Sequence, residues 1–391
     1  MKRFLTVALL LCVVTVLAGG LSLKTAGAAA SGQISQARFN SPSCGKWSIV
    51  PAPHPNGSSG LSAVAAVSAT DAWAVGSAGN QISGAQTLIE HWNGSSWQIV
   101  TSPSPGSIYN TLYGVTAISA SDVWSVGYDV SAPGVTQTLT EHWNGSQWSV
   151  VNSPSPASMN NELFSVSAVS ASDMWAVGFI TTPIDQTPTD ETLIEHWNGS
   201  QWSVVKSPDP GSNDHLNAVT AISAGDAWAV GNANTFAQTL IEHWNGSRWS
   251  VAKSTSAGSS SDLRDVAAVS ASDVWSVGYA LVGSSIQTFT EHWNGTNWQA
   301  VRSSNTGSSP TFSGVAAVST GDVWAVGSYL NSNNVFQALT EQWDGSAWSI
   351  VVSPNQPTVN AQLLGVAAVS AKDVWAVGVA GGNPLIELFH C

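Results

Sequence analysis

Glu-His-Trp is the triplet in this chain that most resembles catalytic machinery. It occurs as Glu90-His91, Glu141-His142, Glu195-His196, Glu242-His243 and Glu291-His292, each followed by Trp. A carboxylate beside an imidazole is the pairing that acid–base catalysis uses. Recurrence at a regular step argues against that use here. A reacting centre is built once, whereas a packing contact is built wherever the same piece of structure returns. Neighbours in an extended chain also point to opposite faces. Gln342 and Leu388 stand in the sixth and seventh places. The column is therefore expected to be structural.

A second column, Asp71, Asp122, Asp173, Asp226, Asp273, Asp322 and Asp373, offers metal-ligand chemistry by residue type. Its members are about fifty residues apart, so turn capping is the expected role. Asn93, Asn144, Asn198, Asn245 and Asn294 each open an Asn-Gly-Ser or Asn-Gly-Thr triplet that matches the glycosylation sequon. Asn-Gly is also a strong hairpin signal, because both residues tolerate positive φ, and that explains the triplets without a glycan.

Chemistry is left to the residues that break the pattern. Asp185, Asp190, Glu191, Asp209 and Asp214 cluster in two neighbouring variable stretches, with His215 adjoining them. Tyr109, Tyr113, Tyr128, Phe164, Phe179, Phe236, Tyr279 and Tyr329 lie in corresponding variable stretches. An acidic pocket with aromatic walls suits a sugar, a cation or a Ca²⁺ ion, and no other cofactor is called for. The chain has no nucleophile elbow, Walker loop, HExxH or CxxC pair.

The elements that must hold these residues follow from one phrase written seven times. Its Asp-x-Trp tryptophan recurs at Trp73, Trp124, Trp175, Trp228, Trp275, Trp324 and Trp375, in steps of 51, 51, 53, 47, 49 and 51 residues. Such periods signal arrays whose units cannot bury their apolar faces alone. Each copy parses into four short strands, exemplified by Leu61 to Ser68 (a), Asp322 to Gly327 (b), Thr239 to Trp244 (c) and Trp202 to Val205 (d). The a–b and c–d links are short and uniform, while the b–c and d–a links are long and variable. Four up-and-down strands repeated radially make a β-propeller blade, and seven copies predict seven blades. Strand alternation puts every variable link at one end of the ring, where binding residues on a rigid scaffold are expected.

The chain ends predict how the ring closes. The twenty tryptophans fall in three columns. The last copy stops after its strand c, Leu385 to Phe389, and the spare strand d, Lys46 to Val50, lies near the N-terminus. That strand is expected to complete the last blade and leave no open sheet edge. Cys44 and Cys391 both align with the hairpin turn that this break removes, so a disulfide between them is expected to replace the missing link.

Residues 1–30 have the charged start, apolar run and small-residue cleavage site of a secretory signal peptide. Residues 31–43 read as a flexible lead into the propeller, 44–391. Without Lys2, Arg3 and Lys24, eight basic residues face 24 acidic ones, a net charge of −16. Nucleic acid and anionic membrane are thereby excluded as partners, since both require clustered Lys and Arg. The expected product is a secreted, extracellular monomer that does not insert in a membrane once its signal is removed.

The order of Trp-Ala-Val-Gly followed by His-Trp-Asn-Gly-Ser-x-Trp resembles a kelch-type propeller repeat, over about residues 45–391. It is also similar to the tryptophan-rich repeats of secreted bacterial propellers. Each copy has one glycine where kelch repeats have two, and a shorter hairpin. Kelch propellers imply protein binding, whereas other secreted propellers imply lectins or carbohydrate-active enzymes. The reading that results is a non-catalytic binding propeller recognising glycan or extracellular protein through its variable end. A polysaccharide-acting hydrolase or lyase and an extracellular scaffold are the alternatives.

Overall fold

The structure, a computed structural model, describes residues 45–391 except residue 56, residues 81–83, residues 185–186 and residue 256. The expected signal peptide (1–30), the segment 31–43, Cys44 and Asp185 lie outside the described residues.

The described residues are all-β, with no helix. They form repeated four-stranded antiparallel sheets, seven such units among the described residues. Units 1 and 2 are joined into one larger sheet by a single parallel bridge, Ala85 to Tyr109. Unit 3 shows the pattern: strand a is Asn161–Ser170, b is Asp173–Ile184, c is Thr187–Trp197 and d is Trp202–Val204. In the last unit the outer place is taken by the N-terminal strand Lys46–Ile49, which pairs antiparallel with Asn383–His390 and sets Trp47 opposite Phe389.

The glycine that ends each strand-b motif has a steric cause. In unit 3 a Cβ added at Gly178 would lie 1.9 Å from the carbonyl oxygen of Glu162. The register of strands a and b shifts between Leu163 and Ser165 beside it, so strand a bulges over the glycine.

The tryptophan columns form the joints between units. Trp73 stacks on His91 of its own unit at 4.2 Å. It also meets Trp143 of the next unit at 5.0 Å and Trp148, edge-on, at 5.5 Å. His91 is held in turn by Asp71, with Nε2 2.9 Å from Oδ1. Glu-His-Trp and the strand-b aspartate thus belong to one Asp–His–Trp–Trp stack repeated around the molecule. This corrects the expectation that the aspartates cap turns: they hold the imidazoles, and the serine two residues before each turn position bonds the backbone, as Ser68 Oγ does for the Thr70 N–H at 3.2 Å. In the sixth copy Gln342 donates to Asp322 at 2.8 Å. In the seventh, His390, two residues beyond Leu388, reaches Asp373 at 2.7 Å.

The Asn-Gly hairpin also differs from expectation. Only the glycine is left-handed (Gly94, φ 88°). Asn93 acts through its side chain, whose Oδ1 accepts the N–H groups of Ser95 and Ser96 at 3.0 and 3.1 Å. The link is an Asx turn of four residues between Trp92 and Trp97. The same joint connects the last unit with the first: Trp92 packs on Trp375 at 5.1 Å, and the Ser59 N–H donates to the Gly382 carbonyl at 3.0 Å.

Candidate functional site

Strands a of consecutive units lie against one another. A Cβ on Gly114 would meet Ser165 Cα at 2.9 Å, and one on Gly365 would meet Ala63 Cα at 2.9 Å. Small residues fill this column in every unit but the fifth, which has Asp265, because the inner strands converge there. At the variable end of the same strands the column before the buried leucine (Phe312 in unit 6) reads Gly60, Thr111, Glu162, His215, Asp262, Thr311 and Gln362. The repeat dissolves at this level, and the side chains that replace it touch one another.

A chain of rings crosses units 2 to 4. Tyr109 stacks with Tyr128 (6.1 Å), Tyr128 meets Tyr113 (5.9 Å), and Tyr113 meets Phe164 edge-on (5.3 Å). Phe164 then meets Phe179 (5.6 Å), and Phe179 stacks on His215 (4.2 Å). Phe236 closes the series 6.4 Å from His215. Backbone strain marks this last corner. Asn234, Thr235 and Phe236 are consecutive residues at φ 56°, 57° and 66°, with Asn213 beside them at 56°. A bulky aromatic residue in the left-handed region is sterically costly and persists only where its surroundings hold it. The Phe236 carbonyl is held by the Ser260 hydroxyl (2.8 Å) and the Ser261 N–H (2.9 Å).

The acids gather beside the rings. Asp190 accepts the Thr181 hydroxyl at 2.6 Å and lies 2.9 Å from His215 Nε2. Burial works to raise the Asp190 pKa, but the bonds from His215 and Thr181 and the imidazole charge outweigh it and leave it lowered. Asp214 is fully buried and accepts the N–H groups of Gly211 (2.7 Å) and Asn234 (3.0 Å). Asp209 is pushed up to about 6 by burial and by the charges of Asp214 and Glu191. Glu191 itself accepts the Thr182 hydroxyl. Asp190, Glu191, Asp209, Asp214 and His215 therefore share one neighbourhood of units 3 and 4. Among the described residues no group of three or more His, Cys, Asp or Glu is arranged to hold a metal ion.

Tyr279 and Tyr329 stand apart from the ring chain. Tyr279 lies under Arg264 of unit 5, at 5.4 Å. Tyr329 packs against Gly307 in unit 6. Sequence reasoning missed Glu162, Asn217, Asn232, Asp262, Arg264 and Asp265 on the strands; the structure also puts Tyr109, Tyr113, Tyr128, Phe164, Phe179, Asp190, Glu191, His215, Tyr279 and Tyr329 on strands, which corrects their expected place in the variable links. The half-buried Glu162 carboxyl is pushed up to about 7 by burial and by the Asp190 charge, with the Thr136 hydroxyl opposing. The buried Asp262 accepts the amides of Asn217 (2.8 Å) and Asn232 (2.9 Å) and pairs with Arg264. Asp265 accepts the N–H groups of Val266 and, in the next unit, Val315, both at 2.8 Å. The signal that would have found them is the strand column that fails to repeat. At the opposite end, a shallow hollow of about 370 Å³ lies among Asp273, Trp275, His292 and Trp343. It consists of the repeating columns and is part of the joint between units.

No family model and no curated protein matches this chain. Solved structures do match in fold. YCF48 bound to D1 peptide superposes over 91% of this chain and 99% of its own, with TM-score 0.59 and 14% identity. YCF48 from Cyanidioschyzon merolae covers 88% of this chain and 99% of its own, with TM-score 0.55 and 14% identity. A six-bladed fucose-recognising lectin from Aleuria aurantia covers 76% of this chain and 97% of its own, with TM-score 0.46 and 14% identity. The two YCF48 structures are β-propellers, and this chain shares that fold.

Proposed function

We propose that this protein is a secreted, non-catalytic binding propeller that docks an extracellular polypeptide on the variable end of units 2 to 4. One observation carries the reading: the residues that depart from the repeat meet there in a connected cluster of rings and acids, on strands whose other columns are uniform. Rigid inner strands supply a pre-formed surface, and half-buried aromatic residues are the side chains that dominate protein recognition. The His215–Asp190 pair is distinct from the repeated Asp–His stacks and lies beside the ring chain, with Phe179 stacked on His215. The peptide held by YCF48 supports the reading by showing that a similar fold accommodates a polypeptide.

The seven units are proposed to close as a seven-bladed ring, with the N-terminal strand completing the last blade and a Cys44–Cys391 disulfide securing it. Gly45 supports the disulfide, since a Cβ added there would lie 2.8 Å from Cys391 Sγ.

The test is to screen the purified chain against a displayed peptide library and a glycan array, then map the bound ligand by hydrogen exchange. Peptide binding that protects Tyr109–Tyr113 and Asn161–Phe164 supports the reading. Binding of glycans alone, binding at the opposite end, or turnover of a polysaccharide overturns it.

A further inference from the structure

Glu162 is the acid at the centre of the ring chain. It stands on strand a opposite Phe179 on strand b, and Phe179 contacts both Phe164 and His215. Its charge acts across the unit boundary on Tyr113 and Tyr128, whose hydroxyls bond each other on the two inner strands of unit 2. Its own surroundings are the Thr136 hydroxyl and the carboxylate of Asp190, and among the described residues it forms no ion pair. The one nearby imidazole, His215, is bonded to Asp190.

Glu162 thus faces a set of aromatic rings with no ion-pair partner among the described residues, while Asp190 is engaged by His215. Ring faces carry negative electrostatic potential and attract ammonium and guanidinium groups, most strongly where water is excluded. A carboxylate within the same enclosure adds a charge-assisted hydrogen bond. A neutral sugar would satisfy hydrogen bonds here but would leave the Glu162 carboxylate without a counter-charge. The whole chain has 24 acidic residues against 11 basic ones, so long-range attraction selects the same kind of partner.

We propose that the Glu162 carboxyl, walled by Tyr113, Tyr128, Phe164 and Phe179, is the socket for a cationic side chain, arginine or lysine, of a polypeptide partner. This deepens the docking reading above and rests on it. Asp190 shares the charge, and the His215–Asp190 bond fixes its orientation. Tyr109 and Phe236 extend the walls to either side.

The experiment is calorimetric titration of the full chain with blocked oligo-arginine, oligo-lysine and oligo-citrulline peptides of equal length. Citrulline keeps the shape of arginine without its charge. The arginine and lysine peptides are expected to bind at least about tenfold more tightly than the citrulline peptide. Glu162→Gln should remove most of that preference. Asp344→Asn, which deletes an equal charge from an exposed hairpin at the other end, should leave it intact. Equal loss in both variants would reduce the effect to net charge and overturn the socket. Equal affinity for arginine and citrulline peptides, protecting the same strands from exchange, would also overturn the cationic inference while sparing the docking reading. Failure of every peptide to bind, with glycans bound instead, would remove both. Thermal melting of Glu162→Gln, expected unchanged or raised, separates lost binding from lost fold.

Discussion

Thr255 donates both its backbone N–H and its hydroxyl to Oε1 of the buried Glu291, at 2.7 and 2.5 Å. Glu291 is the strand-c glutamate of unit 5, and Thr255 lies in the loop leaving unit 4. The corresponding loop residues before Glu90, Glu141, Glu195 and Glu242 are Pro53, Pro103, Pro154 and Pro208. Proline has no N–H to offer. Those four glutamates are fully buried and have no hydrogen-bond partner among the described residues. Ser304 supplies its N–H to Glu341 at 3.0 Å. Before Glu387 stands Pro354, but the Ser353 hydroxyl bonds the carboxyl instead, at 2.8 Å. Ala338 stands where other units have the threonine that engages the equivalent serine, as Thr87 engages Ser102 at 2.7 Å.

Thr255→Pro should leave Glu291 Oε1 without a donor, as in Glu242, while the Ser254 hydroxyl stays on Oε2 at 2.8 Å. A buried charged acceptor stripped of its partners costs about 1–3 kcal/mol, and more if it stays ionised. The expected result is a lower denaturation midpoint with an unchanged denaturant slope. An unaltered midpoint would show that water replaces Thr255 at no loss.

The orphaned carboxyls make stability depend on pH. Burial pushes Glu90, Glu141 and Glu195 up to about 8 and Glu242 up to about 9, from 4.5 when unfolded. A carboxyl whose folded pKa is raised favours the fold while protonated and opposes it once ionised. Stability should therefore be greatest near the unfolded value, fall as pH rises, and level off above the folded values. The slope is at most about 1.4 kcal/mol per pH unit for each such carboxyl. Melting temperatures taken from pH 5 to pH 9 check the sign; a rise across that window contradicts it.

Gly178→Ala should destabilise severely. The new methyl would lie 1.9 Å from the Glu162 carbonyl oxygen, so strand a must move. Overpacking of this kind costs about 1–3 kcal/mol and more where the obstacle is backbone. Chemical denaturation gives the value, and a loss under about 0.5 kcal/mol would mean that the bulge is soft. Ser58→Ala, on the first inner strand, is the mild control.

The proposed Cys44–Cys391 bond would tie the completing strand to the last unit. Peptide mapping without reduction should recover the linked pair. The chain-entropy relation for so long a loop gives a ceiling of roughly 5–6 kcal/mol. Reduction should lower the melting temperature and expose the strand that carries Trp47 to exchange first. Two free thiols would leave strand pairing alone to hold the N-terminus.

The sequence alone determined the all-β class, the four-strand unit and the pairing of Trp47 with Phe389, because these depend on local period and on which residues lack a partner in their own copy. It also marked Glu-His-Trp as structural, since a recurring triplet signals a recurring contact. What it could not determine is which residues meet across units. Asp71 reaches His91 through strand pairing, and Trp73 reaches Trp143 only because one unit packs on the next. The site divided in the same way. Asp190, Asp214 and His215 stood out as loop-proximal departures from the repeat. Glu162 was hidden on a strand, and its importance came from the convergence of the inner strands, which sets it among rings contributed by two units. Tertiary structure decided this because a carboxyl's chemistry depends on its burial and its neighbours, and here those neighbours come from separate copies of the repeat.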